Sequence, residues 1–163
     1  MASRYFAEHQ FSDGPGDGRP TATQIVKKEA MEEKLIGSTV FITGCASGIG
    51  VETARALFLP GANLYLATRN LQTTKVALKD IIHSERVHLL DFDIESLESV
   101  RSCAAEVLSR NASLDILICN AGAMATPEGR TKDGFETQIG TNHLAHFLLF
   151  KLLKPVLLKV VTR

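Results

Sequence analysis

The chain has 163 residues, 45% of them hydrophobic, and its 18 Lys plus Arg balance 18 Asp plus Glu to a formal net charge of zero. That length buries one core of ordinary domain size, and neutrality removes the long-range field that would gather nucleic-acid phosphates or anionic lipid. Three cysteines, Cys45, Cys103 and Cys119, form no CxxC pair; an odd count fits neither a disulfide framework nor a zinc site and points to a reducing compartment, the cytosol.

Residues 1–20 are polar and rich in Gly and Pro, a tail whose ordering entropy no burial offsets. The tail has no apolar core for a secretory signal, and the most apolar later stretch, 144–163, is interrupted by Lys151, Lys154, Pro155 and Lys159. A spanning helix needs ~18 uninterrupted apolar residues. Packing of that last stretch with its lysine heads in water is the simpler reading, although a basic, apolar helix also suits peripheral membrane contact. Thr21 is placed to cap a helix over 21–35, with Ile25, Ala30 and Leu35 on one face. STVFITG then ends a β-branched run in glycine, and VETARALFL follows at helical period. The alternation continues with NLYLATR as a strand, LQTTKVALKDII as a helix, RVHLLDFD as a strand and SLESVRSCAAEVLSR as a helix. LDILICN is a fourth strand, and a last helix runs from about Asp133 to Leu158. Strands apolar on both faces, separated by amphipathic helices, predict an α/β domain over 21–163: a partial Rossmann fold, with a doubly wound parallel sheet of about four strands.

TGCASGIG, Thr43 to Gly50, sits between a strand end and a helix start, where free backbone N–H groups and the helix dipole favour a pyrophosphate. Gly44 permits the sharp turn, Gly48 lets backbone approach phosphate and Gly50 permits close helix packing, with Ser47 and Ile49 in the same loop. The spacing is Gly-x-x-x-Gly-x-Gly, and no Gly-Lys-Ser/Thr follows to make a nucleoside-triphosphate loop. A plain glycine turn without a ligand is the competing reading.

TGCASGIG, the triplet Asn120, Ala121 and Gly122, and DGFETQIGTNHLAHFLL (133–149) together resemble the classical short-chain dehydrogenase/reductase family, on its retinol-dehydrogenase-like and fungal side. The resemblance covers about residues 36–156 and implies a nicotinamide cofactor. In that family an acid just after the second strand binds the ribose 2′-hydroxyl, whereas a base pairs with a 2′-phosphate. This strand ends Ala67-Thr68-Arg69-Asn70, so Arg69 in place of a carboxylate favours NADP; a merely solvated arginine is the alternative. Asp93 matches the aspartate beside adenine and Ile94 the apolar contact after it, with Asp91 a close competitor and capping of the next helix the structural alternative. The triplet would line the cofactor's path, and Asn142 matches the asparagine that steadies a proton-relay water through a kinked helix. His143 and His146 lack the further ligands a zinc site needs. Asn111-Ala-Ser113 matches a glycosylation tripeptide that a chain without a secretory signal does not use.

The resemblance also implies a catalytic serine after a fifth strand and a Tyr-x-x-x-Lys pair, with the tyrosine as acid or base. Neither tyrosine here, Tyr5 or Tyr65, has a lysine four residues on, so a record cut short before those residues is expected, without turnover of its own. It would also leave the fourth strand with an open edge for a second copy or another chain. Two readings follow: an oxidoreductase whose substrate is a small lipophilic alcohol or ketone, and a non-catalytic nucleotide-binding or interaction module.

Overall fold

A computed structural model of the chain describes residues 5–14, 16–111 and 113–161. Ahead of the first strand lie three short helices, α1 (Phe6–His9), α2 (Ala22–Lys28) and α3 (Glu32–Leu35). In the stretch that composition leaves unstructured, α1 is one turn with no buried residue, and the Asp17 carboxylate gathers the Asp13 and Arg19 N–H groups. Thr21 caps α2, and Gln24 returns the bond to complete a capping box. The helix expected over 21–35 is broken in two because Ala30 takes φ +50, a left-handed conformation that an α-helix cannot continue through.

From Thr39 onward, strands and helices alternate as β1 (Thr39–Thr43), α4 (Gly48–Phe58), β2 (Asn63–Thr68), α5 (Leu71–Ala77), β3 (Val87–Asp91), α6 (Leu97–Arg110) and β4 (Ile116–Ile118). A short α7 (Thr137–Ile139) passes through a π-helical turn, Gly140–Ala145, into α8 (His146–Val161). The strands form one parallel sheet in the order β3-β2-β1-β4. Because successive strand residues point to opposite faces, Phe41, Tyr65 and Ala67 pack with Val100, Val107 and Leu149 of α6 and α8. Their neighbours Val40, Ile42, Leu64 and Leu66 pack with Val51 and Ala54 of α4 and with Leu78 and Ile81. The central strands β1 and β2 are therefore apolar on both faces, which is the doubly wound arrangement the sequence predicts.

Three boundaries differ from expectation. The helix expected to reach Ile82 ends at Ala77 and is followed by turns. The strand expected over 114–120 keeps three residues, with Asn120 turned back onto β1 by its side chain. The last helix starts at Thr137 instead of Asp133. Residues 130–136 fold as a tight turn in which the backbones of Arg130 and Glu136 pair as an isolated antiparallel β-bridge, Asp133 Oδ2 accepts the Leu97 N–H at the start of α6, and Glu136 caps α7. Short polar side chains satisfy helix-end N–H groups better than they extend a helix. No helix among the described residues is long and apolar enough to cross a membrane.

Candidate functional site

The strand order reverses at β1: the chain moves outward through β2 and β3, then returns to place β4 on the other side. Loops leaving the carboxyl ends of β1 and β4 diverge at such a point and leave a crevice. A cleft of about 440 Å³ lies there, lined by Gly44 and Ser47 after β1, Thr68 and Arg69 at the end of β2, and further residues from the loops after β3 and β4.

The loop after β1 is shaped by two steric demands. Gly44 has φ +77, and a Cβ there would stand 2.8 Å from Ala121 Cα, a distance that only glycine avoids. A Cβ on Gly50 would be driven into the Gly44 carbonyl and come 2.8 Å from Asn120 Nδ2. Gly50 thus brings the first turn of α4 down onto both loops. Gly48 has φ +57 with open space where a side chain would stand. Ser47 makes no capping bond to α4, whereas Asn70 and Ser96 cap α5 and α6, so the α4 N-terminus keeps its donors for an anion. Ser47, Gly48 and Ile49 are exposed, and the tight glycine cradle fits a pyrophosphate.

Thr43 joins the two loops. Its Oγ1 accepts the N–H groups of Asn120 and Ala121, each at 2.9 Å, and lies 3.1 Å from His146 Nε2. A hydroxyl has one proton and two lone pairs; with both lone pairs used, Thr43 must donate to Nε2, which makes His146 a neutral Nδ1–H tautomer facing the Asn142 carbonyl at 3.4 Å. Burial holds the His146 imidazole below its ordinary pKa, against a smaller opposing pull from that carbonyl. Asn120 Nδ2 also donates to the Thr43 and Gly44 carbonyls at 3.0 Å. Asn142, in the π-helical turn, clamps the far side of the same loop: Oδ1 accepts the Ala123 N–H at 2.8 Å and Nδ2 donates to the Ala123 carbonyl at 2.7 Å.

At the opposite end of the cleft, Arg69 is 70% exposed and pairs with Glu95 at 3.1 Å. Phe92 and Ile94 supply apolar wall between them and the glycine loop. Asp93 stands just behind: Oδ1 accepts the Glu95 N–H at 3.1 Å and Oδ2 accepts Lys132 Nζ at 2.7 Å. Burial opposes its charge, but these bonds outweigh it and hold the carboxyl below its ordinary pKa. Ser96, not Asp93, is the α6 cap, and Asp91 ends β3 with its side chain exposed.

A short chain dehydrogenase family model matches residues 38–161. The chain belongs to the short-chain dehydrogenase/reductase family. It is 46% identical over 150 residues to the short-chain dehydrogenase/reductase prx1 of Penicillium roqueforti, covering 92% of this chain and 44% of that protein. Human retinol dehydrogenase 13 is 44% identical over 120 residues, which cover 72% of this chain and 36% of that protein. The fold matches the crystal structure of an uncharacterized protein from Mycobacterium paratuberculosis with a TM-score of 0.67 and 42% identity, over 75% of this chain and 43% of that one. The chain thus spans less than half the length of these relatives. Nicotinamide dinucleotides, NAD or NADP, are the cofactors of this dehydrogenase family.

Within this short-chain dehydrogenase/reductase chain, Gly44, Ser47, Arg69, Ile94, Asn120, Ala121 and Gly122 line the cleft. Gly48, Ile49 and Gly50 lie on the adjoining helix start, Asp93 lies behind the wall, and Asn142 acts through Ala123. Tyr65 is buried in β2 with its ring 4.6 Å from that of His88, and Tyr5 donates to Glu29 at 2.6 Å. Sequence reasoning missed Thr43, His146 and Glu95. Thr43 opens the glycine motif, and a hydroxyl at a strand end was a usable signal. Nothing in the spacing could connect His146 or Glu95 to partners 103 and 26 positions away.

Proposed function

We propose that this chain is the nucleotide-binding part of an NADP-preferring oxidoreductase that moves hydride to or from a small lipophilic alcohol or ketone. The observation that carries the reading is the end of the cleft: Arg69 is exposed directly after β2, with no carboxylate at 67–70 to receive a ribose 2′-hydroxyl. When bound, the dinucleotide supplies or takes up the hydride. The chain's own residues bind and place it. The Gly44–Gly50 loop and the α4 N-terminus would hold the pyrophosphate, and Arg69 the 2′-phosphate. Phe92 and Ile94 would flank adenine, while Asp93, both oxygens engaged, would shape that corner by fixing the Asp93–Glu95 turn. Asn120, Ala121 and Gly122 would border the ribose and nicotinamide, kept in place by Thr43 and Asn142.

The name of retinol dehydrogenase 13 supports a lipophilic substrate. The acid–base tyrosine and lysine of the family have no counterpart among these 163 residues, so no residue here is assigned the proton at the substrate oxygen. Three unpaired cysteines support a cytosolic setting. The open side of β4, which among the described residues pairs only with β1, would meet a second copy or a partner.

Fluorescence titration tests the cofactor reading: NADPH binds more tightly than NADH, and Arg69→Ala narrows the difference by about 1–2 kcal/mol, the range for a charge-assisted contact discounted for exposure. Equal affinities before mutation would remove the basis for NADP.

A further inference from the structure

The Arg69 guanidinium is not waiting alone at the end of the cleft. Its one ion pair among the described residues is with Glu95, whose carboxylate lies on the same cleft wall at 3.1 Å and is itself 39% exposed. Three other charged groups, Asp93, Lys132 and Asp91, surround this pair. Asp93 lies beneath it and takes Lys132 Nζ at 2.7 Å, Asp91 ends the neighbouring strand, and Lys132 also donates its backbone N–H to the Glu95 carbonyl. Two cations, Arg69 and Lys132, therefore face three carboxylates. The corner that should attract a phosphate is not net positive.

We infer that Glu95 is a cofactor-discriminating residue that works against the 2′-phosphate, occupying Arg69 in the free protein and repelling the phosphate that must share or displace it. The inference rests on the dinucleotide reading of the cleft and deepens it. Like charges on either side of one guanidinium stand ~5 Å apart, and in near-aqueous surroundings a singly charged carboxylate against a phosphate of about −1.5 to −2 weakens binding roughly three- to tenfold. A ligand with a free 2′-hydroxyl meets no such repulsion. Glu95 therefore holds the preference for NADP below what Arg69 alone would give. The residue is suited to a binding role because its fold contacts are made by its backbone: the N–H to Asp93 and the carbonyl to Lys132. A glutamine in its place keeps them.

The test uses the 163-residue chain and calorimetric titration with adenosine 2′,5′-bisphosphate and adenosine 5′-monophosphate, which differ in the 2′-phosphate. Glu95→Gln is expected to tighten the bisphosphate roughly three- to tenfold and leave the monophosphate unchanged, and Glu95→Lys to extend the gain. The gain shrinks as salt is raised, and it is reduced but not abolished in an Arg69→Ala background, where competition for the guanidinium is gone while the direct carboxylate–phosphate repulsion remains. An unchanged ratio between the ligands in Glu95→Gln, or equal loss of both, would overturn the role of Glu95 while leaving the cleft a nucleotide site. Binding of neither ligand by the unaltered chain would overturn the cleft reading and this inference with it. A gain in Glu95→Gln where the unaltered chain shows no 2′-phosphate preference would support the role of Glu95, since it is then strong enough to cancel Arg69.

Discussion

At Gly48 one backbone angle serves the fold and, under the proposed cofactor reading, the approach of a phosphate. At φ +57 it turns the chain into α4, and the space beside its Cα is open, so the position favours glycine for its conformation and leaves backbone exposed where the proposed phosphate would approach. Gly48→Val places a β-branched side chain in the left-handed region, which costs about 1–2 kcal/mol, and fills the phosphate approach. The expected outcome is a thermal midpoint lowered by several degrees, helical circular dichroism retained, and NADPH affinity reduced at least tenfold, equivalent to ~1.4 kcal/mol. Unchanged affinity would mean the loop is a turn and nothing more. Gly50 differs: a Cβ there meets the Gly44 carbonyl and Asn120, so Gly50→Ala should act mainly on stability, by roughly 1–3 kcal/mol of overpacking.

Between elements, the Thr43 hydroxyl carries most of the coupling, since it ties β1, the loop after β4 and α8 through three hydrogen bonds. Thr43→Val keeps the shape and leaves two half-buried N–H groups without a partner. A loss of about 2–3 kcal/mol in urea unfolding is expected, with much of it recovered in Thr43→Ser. The same node gives a pH dependence. Burial keeps His146 neutral in the folded protein, and burial with Arg110 nearby lowers the pKa of His88. Below ~6.5, the ordinary imidazole value, the unfolded chain therefore binds protons that the native state refuses, and stability falls as pH drops from there. His146→Gln, whose amide oxygen can still accept from Thr43, should flatten the dependence between pH 7 and 5.5; an unchanged slope would place the titration elsewhere. The lowered carboxyls of Asp93 and Asp80 act further down, their stabilisation complete above the ordinary carboxylate range and lost as pH falls through their depressed values.

For the whole molecule, both outer strands of the sheet, β3 and β4, pair on one side alone among the described residues. Among the described residues β4 pairs with β1 alone, and beside it Phe147 and Phe150 of α8 are 53% and 46% exposed around an apolar hollow of about 510 Å³. An uncovered strand edge next to exposed aromatics invites association. Sedimentation of the chain should show self-association that Phe147→Lys with Phe150→Lys reduces; a monomer at all concentrations would count against this surface.

The sequence held the alternation of strands and helices, the glycine loop and the Asn120-Ala121-Gly122 turn, because hydrophobic period and turn chemistry are local and survive in one dimension. The double winding was also legible, since strands such as Val40–Ile42 and Leu64–Leu66 are apolar at every position. What could not be read were partnerships across the chain. Asp133 looks like a helix start, yet it accepts the Leu97 N–H at the start of α6 from 36 positions away; the folded loop decides between uses that the residue type allows equally. Arg69 reads as a base for a 2′-phosphate and Asp93 as the acid beside adenine, and folding sets Glu95 against one and Lys132 against the other. Charge–charge energies depend on distance through space, and the sheet sets that distance by bringing the ends of β2 and β3 side by side.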